Sequence, residues 1–303
     1  MASKQSEKLK TLYASWKRLI TPDMSLEEQR DLIDDWAVIT AEPRGVDYAE
    51  TEAGGVPALW AVPKGAAQDR VILSIHGGGF ITGSMYTHRK LFGHIAKASG
   101  ARALIVNYRL APEHVHPAPL DDIVSAYRWL LSEGVKPAHI AFAGDSSGGG
   151  LAVTAQLRAR EQGLPLPAAS MPISPWVDME VTGESMISNR DKDALFTKEM
   201  VQSLAATFLG PLGNRRDPLA NPLYADLRGL PPIYIQVGGD EMNRDDGVQL
   251  AQHARKAGVD VRIDIFPEQQ HTFQMGAGRA PEADHAIRKL AQWVRPKLGL
   301  PVL

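Results

Sequence analysis

The chain has no cysteine among its 303 residues, so disulfide bonds and thiol catalysis are excluded, while the compartment is left open by this count. Net charge is nearly absent as well: 33 Lys and Arg stand against 35 Asp and Glu, leaving −2. Such a balance gives no electrostatic footprint for nucleic acid or an anionic membrane, and neither is expected as a partner. No apolar run reaches the length of a membrane span. Residues Met1 to Lys10 lack the apolar core of a signal peptide, which makes a cytoplasmic location the expectation. Internal repeats and low-complexity linkers are also missing. What is present is a chain with 44% hydrophobic residues, enough for a large core and of a size commonly built as one α/β unit.

Two amphipathic segments come first, Ser6 to Ile20 and Leu26 to Ile39, and both read as helices. Strands are expected at about 44–50, 56–62, 71–75, 103–107, 139–143, 169–174, 232–237 and 261–266. From the third strand onward they alternate with helical stretches near 87–99, 119–133, 147–162, 244–257 and 282–296. Alternation of this kind predicts an α/β fold with a mainly parallel eight-stranded sheet covered by helices on both faces. The interval from Trp176 to Pro222 interrupts the pattern with a polar loop, Asp178 to Asp193, and a short helix, Lys198 to Leu209.

Ser146 sits between Gly144 and Gly148, directly after the apolar run Ile140–Ala143 and directly before a helical stretch. A strand that reverses into a helix within about two residues strains the apex residue and leaves room only for glycine on either side, which is the nucleophile elbow of a serine hydrolase. The five-residue pattern alone arises by chance in about one chain in ten of this length, so its weight comes from the strand before it and the helix after it.

Upstream, the strand at 71–75 runs into His76-Gly-Gly-Gly-Phe80. Consecutive glycines leave backbone N–H groups unshielded, which suits donors aimed at an oxyanion; Gly77, Gly78 and Gly79, with the N–H of Ser147, are the expected oxyanion hole. A phosphate cradle is the competing use of such a loop. The spacing fails for it, because the dinucleotide fingerprint needs glycine where Thr82 stands, and no G-K-[ST] follows either glycine cluster. No cofactor is therefore expected.

Downstream, Asp240 and Glu241 follow the strand at 232–237, and His271 follows the strand at 261–266. Acid and base thus lie beyond the carboxyl ends of strands, where open α/β sheets place their ligands. The order Ser, acid, His is that of α/β-hydrolases. A serine hydroxyl needs a neutral imidazole to accept its proton, and a carboxylate to fix the tautomer of that imidazole; no metal is required. His88, His94, His114, His116 and His253 show no ligand spacing and read as surface or turn residues. Asp145 reads either as a residue that orders the elbow or as a polar turn residue.

Together, HGGGF at 76–80, Tyr108-Arg-Leu-Ala-Pro-Glu113, GDSSGG at 144–149 and His271-Thr-Phe273 resemble the hormone-sensitive-lipase family of bacterial esterases, over nearly the whole chain from about residue 40. The resemblance implies the α/β-hydrolase fold with a helical cap, here about 1–40 and about 178–215 of a single domain spanning 1–303. It implies a serine carboxylesterase acting on short- to medium-chain esters through an acyl-enzyme, with Ser146, His271 and an acid as the triad. Gap-free counting from the Pro231-Pro232 pair puts Glu241 at the family's acid position; Asp240 stays open, since a one-residue shift of the loop would bring it into reach. His76 is implied to hold the glycine loop by hydrogen bonding.

Phe80, Met85, Tyr86 and Trp176 are candidate walls of the substrate pocket, and Leu12, Trp16 and Leu19 either line its entrance or pack as an ordinary amphipathic stripe. A lactonase or deacetylase would use the same triad. A non-catalytic receptor on this fold is the alternative of a different class, set against by the retained His271. The partner expected is a small-molecule ester, and the C-terminal helix and last strand could pair two subunits as a homodimer.

Overall fold

Each expected strand forms, with β1 beginning two and ending three residues later than expected: β1 (Val46–Ala53), β2 (Val56–Pro63), β3 (Val71–Ile75), β4 (Arg102–Val106), β5 (Ile140–Asp145), β6 (Ala169–Ile173), β7 (Ile233–Gly238) and β8 (Val261–Phe266). The structure is a computed structural model that describes residues 2–21 and 23–302. Among these residues the strands make one eight-stranded sheet in the order β1-β2-β4-β3-β5-β6-β7-β8. The β1–β2 and β2–β4 pairs are antiparallel and all the others parallel.

The helices are α1 (Lys4–Leu19), α2 (Leu26–Asp34), α3 (Trp36–Ile39), α4 (Met85–Ser99), α5 (Ala118–Ser132), α6 (Ser147–Glu161), α7 (Ser185–Ser188), α8 (Lys198–Leu209), α9 (Arg244–Lys256) and α10 (Pro281–Lys297). Every residue of β3 and of β5 is buried, because helices cover both faces there. The period of two along a strand separates the cores. Ile72, Ala103 and Ala141 face α4 and α10, whereas Val71, Leu73, Ile75 and Phe142 face α5 and α6. No helix among the described residues is long and apolar enough to cross a membrane.

One expected element divides. The amphipathic run 26–39 breaks at Asp35, whose N–H bonds to Ile33 O in place of continuing the helix. The break gives α3 its own direction, and both Trp36 and Ile39 are buried there. Capping chemistry sets the other local boundaries. Ser25 and Glu28 form a capping box at the start of α2, Ser84 and Thr87 do so at the start of α4, and α4 ends on Gly100 at φ 69°.

The feature that positions everything functional is the approach of α6 to β3. A β-carbon on Gly148 would stand 2.1 Å from Ile75 O and 2.5 Å from His76 O, and one on Gly144 would stand 2.2 Å from Gly148 O. All of these obstacles are backbone, which cannot swing aside. Gly148→Ala is therefore expected to cost about 3 kcal/mol of unfolding free energy, at the upper end of ordinary overpacking. Urea denaturation reads this directly, and a variant as stable as the parent would show that the close approach is not obligatory.

Candidate active site

Ser146 occupies the turn between β5 and α6 with φ 55° and ψ −122°. A non-glycine residue in that region carries strain of about 1–3 kcal/mol, and it persists only where its surroundings over-determine it. Here they do. Ser146 N–H donates to Ile173 O at 2.9 Å, and Ser146 O accepts from Trp176 N at 2.9 Å and Gly150 N at 3.1 Å. The side chain stands at the floor of a cavity of about 540 Å³.

His271 reaches the same point from the loop after β8. Its Nε2 lies 2.8 Å from Ser146 Oγ, and its Nδ1 lies 2.7 Å from Glu241 Oε2. The second oxygen of Glu241 accepts the N–H of Gly238 at 2.8 Å. Complete burial pushes the Glu241 carboxyl above its ordinary value, and the hydrogen bond from His271 opposes that shift. The Phe196 ring meets the imidazole edge-on at 4.9 Å and covers it.

Asp240 does not share this arrangement. The loop is pinned by Gly239 N to Phe266 O and Asp240 N to Gln269 O, and the Asp240 carboxylate turns out toward Lys10 Nζ at 4.0 Å. Glu241 is the acid that meets His271.

The glycine loop turns on Gly78 at φ 120° and Gly79 at φ 62°. Gly78 O accepts from Thr82 N at 3.0 Å and from Thr82 Oγ1 at 2.8 Å, which closes the turn. Gly78 and Gly79 line the cavity beside Ser146, and Ser147, the first residue of α6, has an N–H that the helix itself cannot satisfy. Gly77 departs from expectation. Its N–H is already given to Asp145 Oδ1 at 3.1 Å, so it fastens the loop to the elbow and is not free to meet an oxyanion.

His76 Nδ1 pairs with Gly77 O at 2.7 Å, while its ring stacks on Tyr108 at 4.2 Å. Burial pushes its imidazole down to about 3, so it is a neutral brace and not a base. His88, expected at the surface, is fully buried and places Nε2 3.3 Å from Asp145 Oδ2. Asp145 therefore orders the elbow from two sides.

The four expected pocket walls lie elsewhere; among the described residues that line the cavity, none is Phe80, Met85, Tyr86 or Trp176. Phe80 has φ 66°, and its ring stacks on Phe208 at 3.6 Å. Trp176 packs on Phe80 and donates Nε1 to Asp178 O at 3.3 Å. Met85 is in the core beneath α4, and Tyr86 is exposed with its hydroxyl 2.8 Å from Glu50. The walls instead come from α2, α3 and α8: Leu26, Ile33 and Trp36 face Met200 and Leu204, with Leu204 seated over Gly79. Trp16 is buried and Leu12 packs against the core, so the α1 stripe is mainly ordinary packing; Ile20 and Thr21, just past α1, reach the cavity.

Several supporting residues escaped sequence reasoning. The stretch 178–193, expected as a polar loop, is a brace around the Glu241 turn. Asn189 Nδ2 donates to Gly239 O and Glu241 O, each at 2.9 Å. Asp193 accepts Met242 N at 2.7 Å and Phe196 N at 2.9 Å, and Asp246 accepts Val177 N at 2.9 Å and Asp178 N at 2.8 Å. Burial raises the Asp246 carboxyl well above its ordinary value. The only signal in the sequence was the density of Asp and Asn at turn positions.

The chain has relatives among known proteins. A family model described as the alpha/beta hydrolase fold matches residues 72–275. The chain is 37% identical over 293 residues to an acetyl-hydrolase of Streptomyces hygroscopicus, covering 90% of this chain and 97% of that one. It is 36% identical over 228 residues to an esterase of Acinetobacter venetianus, covering 75% of each. Among solved structures, an esterase from the bacterial hormone-sensitive lipase family aligns with a TM-score of 0.94 at 42% identity, covering 99% of this chain and all of that one.

The geometry separates the two acids. Glu241→Gln is expected to lower turnover of p-nitrophenyl acetate by about a thousandfold or more, as loss of a triad carboxylate does, while Asp240→Asn stays near the parent. Steady-state rates with the two purified variants check this, and the reverse ranking would move the acid to Asp240.

Proposed function

The chain belongs to the hormone-sensitive-lipase family of α/β hydrolases and is a carboxylic ester hydrolase; from that premise we propose that Ser146, His271 and Glu241 are its catalytic triad. The observation that carries the reading is the continuous path from Ser146 Oγ to His271 Nε2 at 2.8 Å and from His271 Nδ1 to Glu241 Oε2 at 2.7 Å. It opens on a cavity that Gly78 and Gly79 also line.

In this reading His271 Nε2 takes the Ser146 proton as Oγ attacks the ester carbonyl carbon, and Glu241 holds the imidazole in the required tautomer and stabilises the imidazolium. The carbonyl oxygen becomes an oxyanion held by the N–H groups of Gly78, Gly79 and Ser147. Collapse of the tetrahedral intermediate breaks the carbon–oxygen bond to the alcohol, which leaves with the proton from His271. Water, deprotonated by His271, then attacks the acyl-enzyme, and the acid departs as the proton returns to Ser146.

The segments 1–40 and 178–215 act as a cap. The cavity walls from α2, α3 and α8 support that role, and a largely apolar volume of about 540 Å³ fits a short- to medium-chain ester. Acetyl esters fall within the reading, in line with the acetyl-hydrolase relative that covers most of the chain.

Turnover of p-nitrophenyl esters from acetate to decanoate is expected to favour the shorter and middle members. Ser146→Ala is expected to lose about ten-thousandfold in kcat or more on each, as removal of a triad nucleophile does. A Ser146→Ala variant that keeps most of the activity would falsify the assignment.

A further inference from the structure

Arg30 lies on α2 between Gln29 and Ile33, two residues of the cavity wall. Its guanidinium leaves that wall and meets three groups outside α2. Nε donates to Ile81 O at 2.8 Å, Nη2 donates to Ala111 O at 3.3 Å, and Nη1 and Nη2 fork onto Glu113 Oε1 and Oε2 at 2.7 and 2.8 Å. Ile81 belongs to the oxyanion turn, since Ile81 N and Thr82 N both donate to Gly78 O, at 3.2 and 3.0 Å. Ala111 is tied to the same turn, because its N–H donates to Phe80 O at 2.9 Å. One side chain thus joins the α2 wall of the cavity to the Ile81 and Ala111 backbone that braces the turn at Gly78 and Gly79.

Stability alone does not explain this placement. The Arg30 side chain is 31% exposed and that of Glu113 50% exposed, and an ion pair at such a surface contributes little to folding. A planar fork, however, fixes orientation as well as distance. The hydrogen bonds from Arg30 draw the Glu113 carboxyl down to about 2, so the fork stays charged through the neutral range.

We propose that Arg30 is a positioning residue that makes the α2 wall and the oxyanion turn one unit, so that a substrate chain packed against α2 strengthens catalysis at Gly78 and Gly79. Binding energy from a remote part of the substrate then appears in kcat and not only in KM. The inference rests on the ester-hydrolase reading and on the triad assigned above.

The test compares the parent with Arg30→Gln, Arg30→Lys and Glu113→Gln on two series, p-nitrophenyl acetate to octanoate and methyl to octyl acetate, with the thermal midpoint of each variant. In the series whose growing chain meets α2, Arg30→Gln is expected to lose about tenfold in kcat/KM on the longest member, partly in kcat, with the shortest member nearly unchanged. Arg30→Lys keeps the charge without the fork and is expected to stay close to Arg30→Gln, whereas Glu113→Gln, which leaves the two carbonyl bonds, falls between that variant and the parent. If Arg30→Gln does not fold, Glu113→Gln carries the same chain-length test. An unchanged chain-length profile overturns the proposal, and so does an equal loss on every ester. Failure of the underlying reading is distinguishable, because the parent would then turn over no ester in either series.

Discussion

The carbonyl oxygens of Ile75 and His76 stand where a β-carbon of residue 148 would have to be, so α6 reaches the end of β3 only because that residue is glycine. The approach brings the elbow against the glycine loop. A β-carbon on Gly77 would lie 2.5 Å from Asp145 Oδ2 and 3.1 Å from Ser146 Cβ, so the loop must be bare for the same reason. Ser146 and the glycine loop are thus two sides of one backbone contact, and the strained φ of Ser146 follows from holding it. The hydrogen bonds from Ser146 N–H to Ile173 O and from Trp176 N–H to Ser146 O supply the restraint that keeps the strain in place.

Around that contact the protein uses buried polar side chains as braces, each holding at least one backbone group. Asp145 links Gly77 to His88, Asn189 holds the carbonyls on either side of Asp240, and Asp193 joins Met242 to the segment that carries Phe196. Such groups are costly when unpaired and specific when paired, which explains why they gather about the acid and the base and not in the apolar cores. The N-terminal helices are attached in a related manner. Lys17 donates to Phe196 O at 2.6 Å on one side of the cavity, and Arg30 donates to Ile81 O on the other.

Much of this was legible in the sequence, and for identifiable reasons. Strands buried on both faces read as continuous apolar runs, and β3, β5, β6 and β7 fall within a residue or two of their expected bounds. Motif and chain order point to Ser146 and His271, and counting along the loop favours Glu241 but leaves Asp240 open, since only the folded loop shows Glu241 on His271 and Asp240 turned toward Lys10. The cavity walls were not legible, because α2, α3 and α8 come to the site by tertiary packing that no local pattern records. Phe80 shows the difficulty: it directly follows the glycine loop, yet at a positive φ its ring stacks on Phe208 and does not line the cavity. The roles of Asp193 and Asp246 as links between segments were equally silent, since the Met242 and Val177 N–H groups they accept lie 49 and 69 positions away.

The central claim is that Ser146 alone among the described hydroxyls is activated, by His271 Nε2 at 2.8 Å, with its oxyanion donors beside it. Labelling with a fluorophosphonate, followed by peptide mass spectrometry, tests this most directly, because the reagent traps a nucleophilic serine that has both a base and an oxyanion site. The account predicts one adduct per chain, on the peptide carrying Ser146, with labelling abolished in His271→Ala. A stoichiometric adduct on another residue, or undiminished labelling of Ser146 without His271, would contradict it.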